Sequence, residues 1–177
     1  MKRLAFVAAA MIVAAACSIT AAPVSAQQSA SRDKPGSSAM TDNGLKTVPS
    51  RHGPKETMDR LVAAVTAKGM TVLARIDHAG AAEKVGMVLR PTEVLIFGNP
   101  KGGTPLMQAV QTIGIDLPLK ALVWEDEAGK TWITYNDPDW LARRHGVAGR
   151  EPVLAAMTTG LAAATAEAAW ELSLIHI

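Results

Sequence analysis

Cysteine is nearly missing from this chain. Cys17 is the only one among 177 residues, and it lies in the apolar N-terminal stretch. That excludes an internal disulfide framework and a cysteine-built zinc site. Aromatic residues are scarce (Trp 4, Tyr 1, Phe 2), and no basic patch is interleaved with them. Nucleic acid is therefore not an expected partner. An excess of one charge sign is also lacking. The chain holds 18 Lys+Arg against 16 Asp+Glu, and without Lys2 and Arg3 the basic count equals the acidic one. A Gly-x-Ser-x-Gly elbow and a Gly-x-x-x-x-Gly-Lys phosphate loop are absent, which disfavours an α/β-hydrolase and a P-loop NTPase. The four histidines show no close ligand spacing, so no metal site is expected. No cofactor is implied, and the methionines sit on apolar stripes suited to packing rather than haem ligation.

Only one long hydrophobic run is present, and it stands at the start. Lys2 and Arg3 precede an Ala-rich run over residues 4–19, and Val24-Ser25-Ala26 offers a small-x-small cleavage site. The run is shorter than the roughly 20 residues of a spanning helix. Residues 1–26 read as a secretory signal, which predicts a periplasmic or secreted protein without a membrane span. The alternative is a lipoprotein anchored at Cys17, although the expected Leu three residues earlier is missing. Residues 27–44 are rich in Ser, Gly and Asp and read as a flexible linker. Residues 172–177, Leu-Ser-Leu-Ile-His-Ile, break abruptly with what precedes them. They read as a non-native, adaptor-derived tail, or else as an apolar tail that docks on the core.

Between linker and tail, residues 45–171 read as a single domain. A short strand ends at Pro49, and Gly53-Pro54 opens a helix with Met58, Leu61, Val62 and Val65 on one face and Gly69 as its stop. Residues 71–77 alternate as a half-buried strand, with Val72, Ala74 and Ile76 on one side and Arg75 beside Asp77 on the other. Asp77 is placed to cap a short helix from His78. Residues 87–89 and 92–97 read as extended, and the apolar run Val94-Leu95-Ile96-Phe97 suggests a strand covered on both faces. A helix capped by Thr104 carries an apolar stripe to Ile113. A hairpin turns at Asp126-Glu127-Ala128-Gly129, and helices open at Asp137-Pro138 and Glu151-Pro152. Sequential strands with intervening helices predict an α+β domain, an antiparallel sheet with helices on one face.

Chemistry is sought first in Asn99-Pro100-Lys101-Gly102-Gly103-Thr104. Two glycines permit close backbone approach, amides at the next helix's start favour an anion, and Lys101 adds charge. Asn99, Lys101, Gly103 and Thr104 are the ligand-binding candidates for a small, anionic ligand. The bland reading is a tight strand-to-helix connection with a solvated lysine. Asp77 and His78 are weaker catalytic candidates, with His78 as an acid/base beside that loop. Against this, Asp77 has a capping role available. His145 at a helix end and His52 in a loop read as structural. Trp124, Trp132 and Tyr135 on the hairpin read as core, with an aromatic ligand wall or an interface as the alternatives.

Four motifs carry a resemblance. They are Asp77-His78-Ala79-x-x-Ala82, Phe97-Gly98-Asn99-Pro100-Lys101-x-Gly103-Thr104-Pro105-Leu106-Met107, Leu117-Pro118-Leu119-Lys120-x-Leu122-Val123-Trp124 and Trp132-x-x-Tyr135-Asn136-Asp137-Pro138. In this order they resemble the domain-of-unknown-function family 302 over about residues 46–146, leaving the helix from Glu151 outside the core pattern. The resemblance implies a TATA-binding-protein-like fold, a curved antiparallel sheet with two main helices, and a homodimer. It implies no activity. Three readings follow: a binding module, an enzyme using His78, or an interaction protein using the hairpin.

Overall fold

In the computed structural model, residues 43–170 are described. The proposed signal peptide, Cys17, most of the linker and the tail lie outside them. Five strands form one sheet: β1 (Leu45–Pro49), β2 (Thr71–Asp77), β3 (Thr92–Gly98), β4 (Leu119–Glu125) and β5 (Thr131–Asn136). Their order is β1-β5-β4-β3-β2, and every neighbouring pair is antiparallel. The helices are α1 (Pro54–Ala67), α2 (His78–Glu83), α3 (Pro100–Ala109), α4 (Pro138–His145) and α5 (Glu151–Ala169), with a 3-10 turn over Gln111–Ile115. The fold is α+β, as the sequence predicts.

The core lies between α1, α5 and one sheet face. Met58, Leu61 and Val65 of α1 and Leu161, Ala164 and Ala168 of α5 meet Leu95, Phe97, Ala121, Val123, Ile133 and Tyr135. Burial alternates along β4 and β5 because successive strand side chains point to opposite faces. The alanines of α5 let it lie close to α1. That small-residue face is what makes a helix without motif residues part of the core. Arg60 ties the two helices further by donating to the carbonyls of Glu167, Ala168 and Trp170.

Several expectations change. β3 is covered on one face only: Leu95 and Phe97 are buried, whereas Val94 and Ile96 stay half-exposed. Residues 87–91 form no strand, and Met87, Val88 and Leu89 are exposed. A register shift between Val72 and Ala74 breaks the simple alternation of β2. Arg75 therefore pairs across from Leu95 on the helix side, and Ala74 and Ile76 join Ile96 and Val94 on the open face. There Arg75 keeps the strand face it shares with Asp77, but it bonds Glu93 and lies 2.6 Å from Asp59 of α1. Lys55 first, and Arg75 second, hold the Asp59 carboxyl below the ordinary carboxylate range. Of the hairpin aromatics only Tyr135 is core. Trp124 and Trp132 stack on the open face with centroids 6.2 Å apart.

Candidate ligand-binding site

Asn99 is the N-cap of α3, and Pro100 takes the first helical position. Residues 99–104 are therefore not a loop but the first turns of a helix. Thr104 does not cap it, and Pro105 lies inside it. Lacking an N–H, Pro105 cannot donate to the Lys101 carbonyl. The amides expected to be free are spent. Lys101 N donates to Asn99 Oδ1 at 2.9 Å, and the Gly102 and Gly103 amides donate to the Asn99 carbonyl at 2.9 and 3.0 Å. Asn99 Nδ2 donates in turn to the Gly69 carbonyl at 3.0 Å. Asn99 thus holds the turn in place, with both ends of its carboxamide bonded to backbone.

The stretch does border a space. A cavity of about 850 Å³ lies between α3 and α5, over Thr71 and Leu73 of β2 and the approach to β4 across the cis Leu117–Pro118 bond. Small-ligand sites span roughly 300–1,000 Å³. Its walls are apolar, from Met107, Leu117, Val153 and Met157 among others, and they include Gly102, Gly103 and Gly160. None of these three glycines has positive φ. A Cβ at Gly102 would meet only Met157 Cε at 3.8 Å, and at Gly103 only Leu117 Cδ1 and Met107 Cε at 3.8 Å. Backbone geometry therefore does not require these glycines, and helix propensity opposes them by about 1 kcal/mol each. They leave the cavity wall bare. Gly98 is different: a Cβ there would crowd Pro118 Cβ at 3.3 Å, so packing accounts for it.

Lys101 and Thr104 lie three apart on α3, hence on one face, and both are exposed at the cavity. Among the described residues no carboxylate pairs with Lys101. Lys68, also on the rim, is taken by Glu167 at 2.6 Å.

Asp77 and His78 do not join this site. Thr71 pairs with Gly98, and Asp77 with Glu93, so they occupy the far end of β2. Six strand steps separate the two ends, about 20 Å. An acid/base His78 next to residues 99–104 is therefore corrected by the register. Asp77 Oδ1 accepts from Gly80 N at 2.8 Å, the capping role open to it, and His78 is exposed. Among the described residues no three His, Cys, Asp or Glu side chains gather as a metal site.

A histidine pair that the sequence did not single out lies elsewhere. His145 Nε2 and Asp116 Oδ2 are 2.6 Å apart, with side chains only 10% and 15% exposed, and Arg144 reaches the same oxygen at 3.4 Å. Twenty-nine positions separate the two residues, and no local pattern signals that α4 folds back on the 3-10 turn. His52 is likewise covered, with Nδ1 2.9 Å from Glu56 Oε1.

Known proteins resemble this chain in sequence or in fold. The chain is 48% identical over 136 residues to "Fluoride-specific ion channel FluC 1" of Brucella suis biovar 1 (strain 1330), a match covering 76% of this chain and 54% of that protein. It is 48% identical to "Fluoride-specific ion channel FluC 2" of Brucella melitensis biotype 1 (strain ATCC 23456 / CCUG 17765 / NCTC 10094 / 16M), covering 76% of this chain and 50% of that one. The chain thus spans about half the length of the curated relatives it matches. Among solved structures, the uncharacterized conserved protein DUF302 from Bacillus stearothermophilus superposes with a TM-score of 0.65 at 23% identity, covering 71% of this chain and 98% of that one. The family described as "Domain of unknown function DUF302" matches residues 46–167, so α5, which the sequence motifs left outside, belongs largely within it. With more than half of its length inside that match, this chain belongs to the DUF302 family.

Proposed function

We propose that this domain is a non-catalytic binding module for a small ligand, held in the cavity between α3 and α5. The observation that carries the reading is the bare glycine wall: Gly102 and Gly103 sit inside a helix, at a cost in propensity, where neither φ nor a clash excludes a Cβ, and both line the cavity. Gly160 faces the same cavity, and a Cβ there would meet nothing within 4 Å. Gly160→Leu should fill the space. The test is calorimetry with 1-octanol as a neutral probe. The wild type should bind and Gly160→Leu should not. If neither binds, or both bind alike, the cavity is not a ligand site.

The reading extends to assembly and location. The open sheet face presents Ile76, Val94, Ile96, Leu122, Trp124 and Trp132 in register, and the exposed Val85, Met87 and Val88 follow α2. Contiguous exposed apolar surface marks interaction sites. A homodimer would cover it, and sedimentation of wild type against Ile96→Asp tests this: dimer and monomer are expected, and a monomeric wild type contradicts it. Export rests on Lys2, Arg3 and the apolar run after them, and the mass of the protein recovered outside the cytoplasm tests cleavage after Ala26. The channel activity in the relatives' names is not carried over. The matched region is half of those proteins, and no helix among the described residues is long and apolar enough to cross a membrane.

A further inference from the structure

We infer that the ligand is a free single-chain amphiphile with an anionic head, of the medium-chain carboxylate class. This rests on the cavity reading above and adds the chemistry of the occupant. Three observations carry it.

The first is the character of the walls. Met107, Leu117, Val153 and Met157 surround the space from both helices and from the strand approach. Methionine side chains are unbranched and polarizable, so they adapt to a flexible alkyl chain better than to a rigid polar ring. A sugar or a bare inorganic anion would find little to hydrogen-bond along such walls and would lose its hydration there.

The second is the sign of the charge. Lys68 and Lys101 border the cavity, and among the described residues no Asp or Glu does. The Lys68 ammonium is neutralised by Glu167. Lys101 has no carboxylate partner among the described residues, so the rim carries one uncompensated positive charge. Thr104, on the same helix face, brings a hydroxyl donor beside it. An anionic head is thus complemented and a cationic head is opposed.

The third is the arrangement. The charged end is exposed while the apolar walls run inward between α3 and α5. An amphiphile can bury its chain and keep its head at the wet rim, as lysine side chains do at apolar surfaces. The anion is thus held at the rim by a side chain rather than by helix amides, which Asn99 already engages.

The test compares four probes on the full chain by calorimetry at low salt and neutral pH: octanoate, 1-octanol, octyltrimethylammonium and acetate. Octanoate should bind about five-fold tighter than 1-octanol, the size of one rim charge contact. The cationic amphiphile should bind weaker than the alcohol, and acetate should not bind measurably. Lys101→Gln should bring octanoate and 1-octanol to equal affinity while leaving 1-octanol unchanged. Equal binding of octanoate and 1-octanol to the wild type overturns the anionic-head assignment and leaves the cavity reading standing. Failure of every probe overturns both. Binding of acetate alone overturns the amphiphile class. Sedimentation with anionic lipid vesicles, without octanoate binding, assigns the charge to a membrane surface and overturns the free ligand.

Discussion

The carboxamide of Asn99 grips two backbones at once: its oxygen accepts from Lys101 N at 2.9 Å, and its nitrogen donates to the Gly69 carbonyl at 3.0 Å. One side chain thus fixes the start of α3 against the turn between α1 and β2, where Gly69 has φ +73°. The position of Lys101, the next residue but one, depends on that grip.

Asn99→Ala removes a cap and a tertiary hydrogen bond together. Unfolding in urea should show a loss of about 1–2 kcal/mol. Asn99→Ser keeps a cap oxygen and loses only the bond to Gly69, so it should fall between the two. Equal stability of all three would show that the cap geometry contributes nothing.

Gly102→Ala and Gly103→Ala should each raise stability by about 0.5–1 kcal/mol, because both residues are helical and a methyl group meets only ordinary contacts at 3.8 Å. The same variants should weaken binding of 1-octanol. A stabilised protein with undiminished binding would mean that the glycines do not serve the cavity.

Asp126 organises the hairpin. It accepts from Trp132 Nε1 at 2.8 Å and from the Ala128 and Lys130 amides at 2.9 Å. The Trp132 bond, with the Lys130 amide next, lowers its carboxyl from the ordinary 3.8. A depressed folded pKa gives stability that is present above the unfolded value and is lost as pH falls through the folded one. Acidification below about pH 4 should therefore loosen the hairpin, read as a change in tryptophan emission. Asp126→Asn should abolish that acid transition. An unchanged transition in the variant would assign it to other carboxylates.

His145→Ala strips Asp116 of its 2.6 Å partner in a nearly buried position. A loss of about 1–3 kcal/mol is expected by chemical denaturation, and His145→Gln should recover part of it because the amide can still donate. No loss in the alanine variant would show that Arg144 alone satisfies Asp116.

Local signals carried much of the fold. Gly53-Pro54 and Gly69 bracket α1, Asp77 caps α2, Asp126 and Gly129 turn the hairpin, and Asp137-Pro138 opens α4. Where partners are distant in sequence, the signal fades. The start of α3 is masked because Gly102, Gly103 and Pro105 are poor helix residues, so the pattern reads as beginning at Thr104 when Asn99-Pro100 is the true cap and first position. The register shift in β2 is invisible to an alternation count, and it alone turns Arg75 toward Asp59. The apolar run of β3 does not distinguish a strand covered twice from one whose second face stays open. The cavity is illegible for the same reason: α3, α5 and the cis-proline approach to β4 are remote in sequence, so residues 99–107 and 117–119 stood in separate motifs with nothing to show that they share one space.

The central claim is that the space between α3 and α5 holds a ligand against its glycine wall. The most direct test is carbon-labelled methionine-methyl NMR during titration with octanoate. Met107 and Met157, whose methyl carbons stand 3.8 Å from the Cβ sites of Gly103 and Gly102, should shift together and saturably. Met58, fully buried between α1 and the sheet, should not move. Stationary Met107 and Met157 signals, or shifts confined to the exposed Met87, would contradict it.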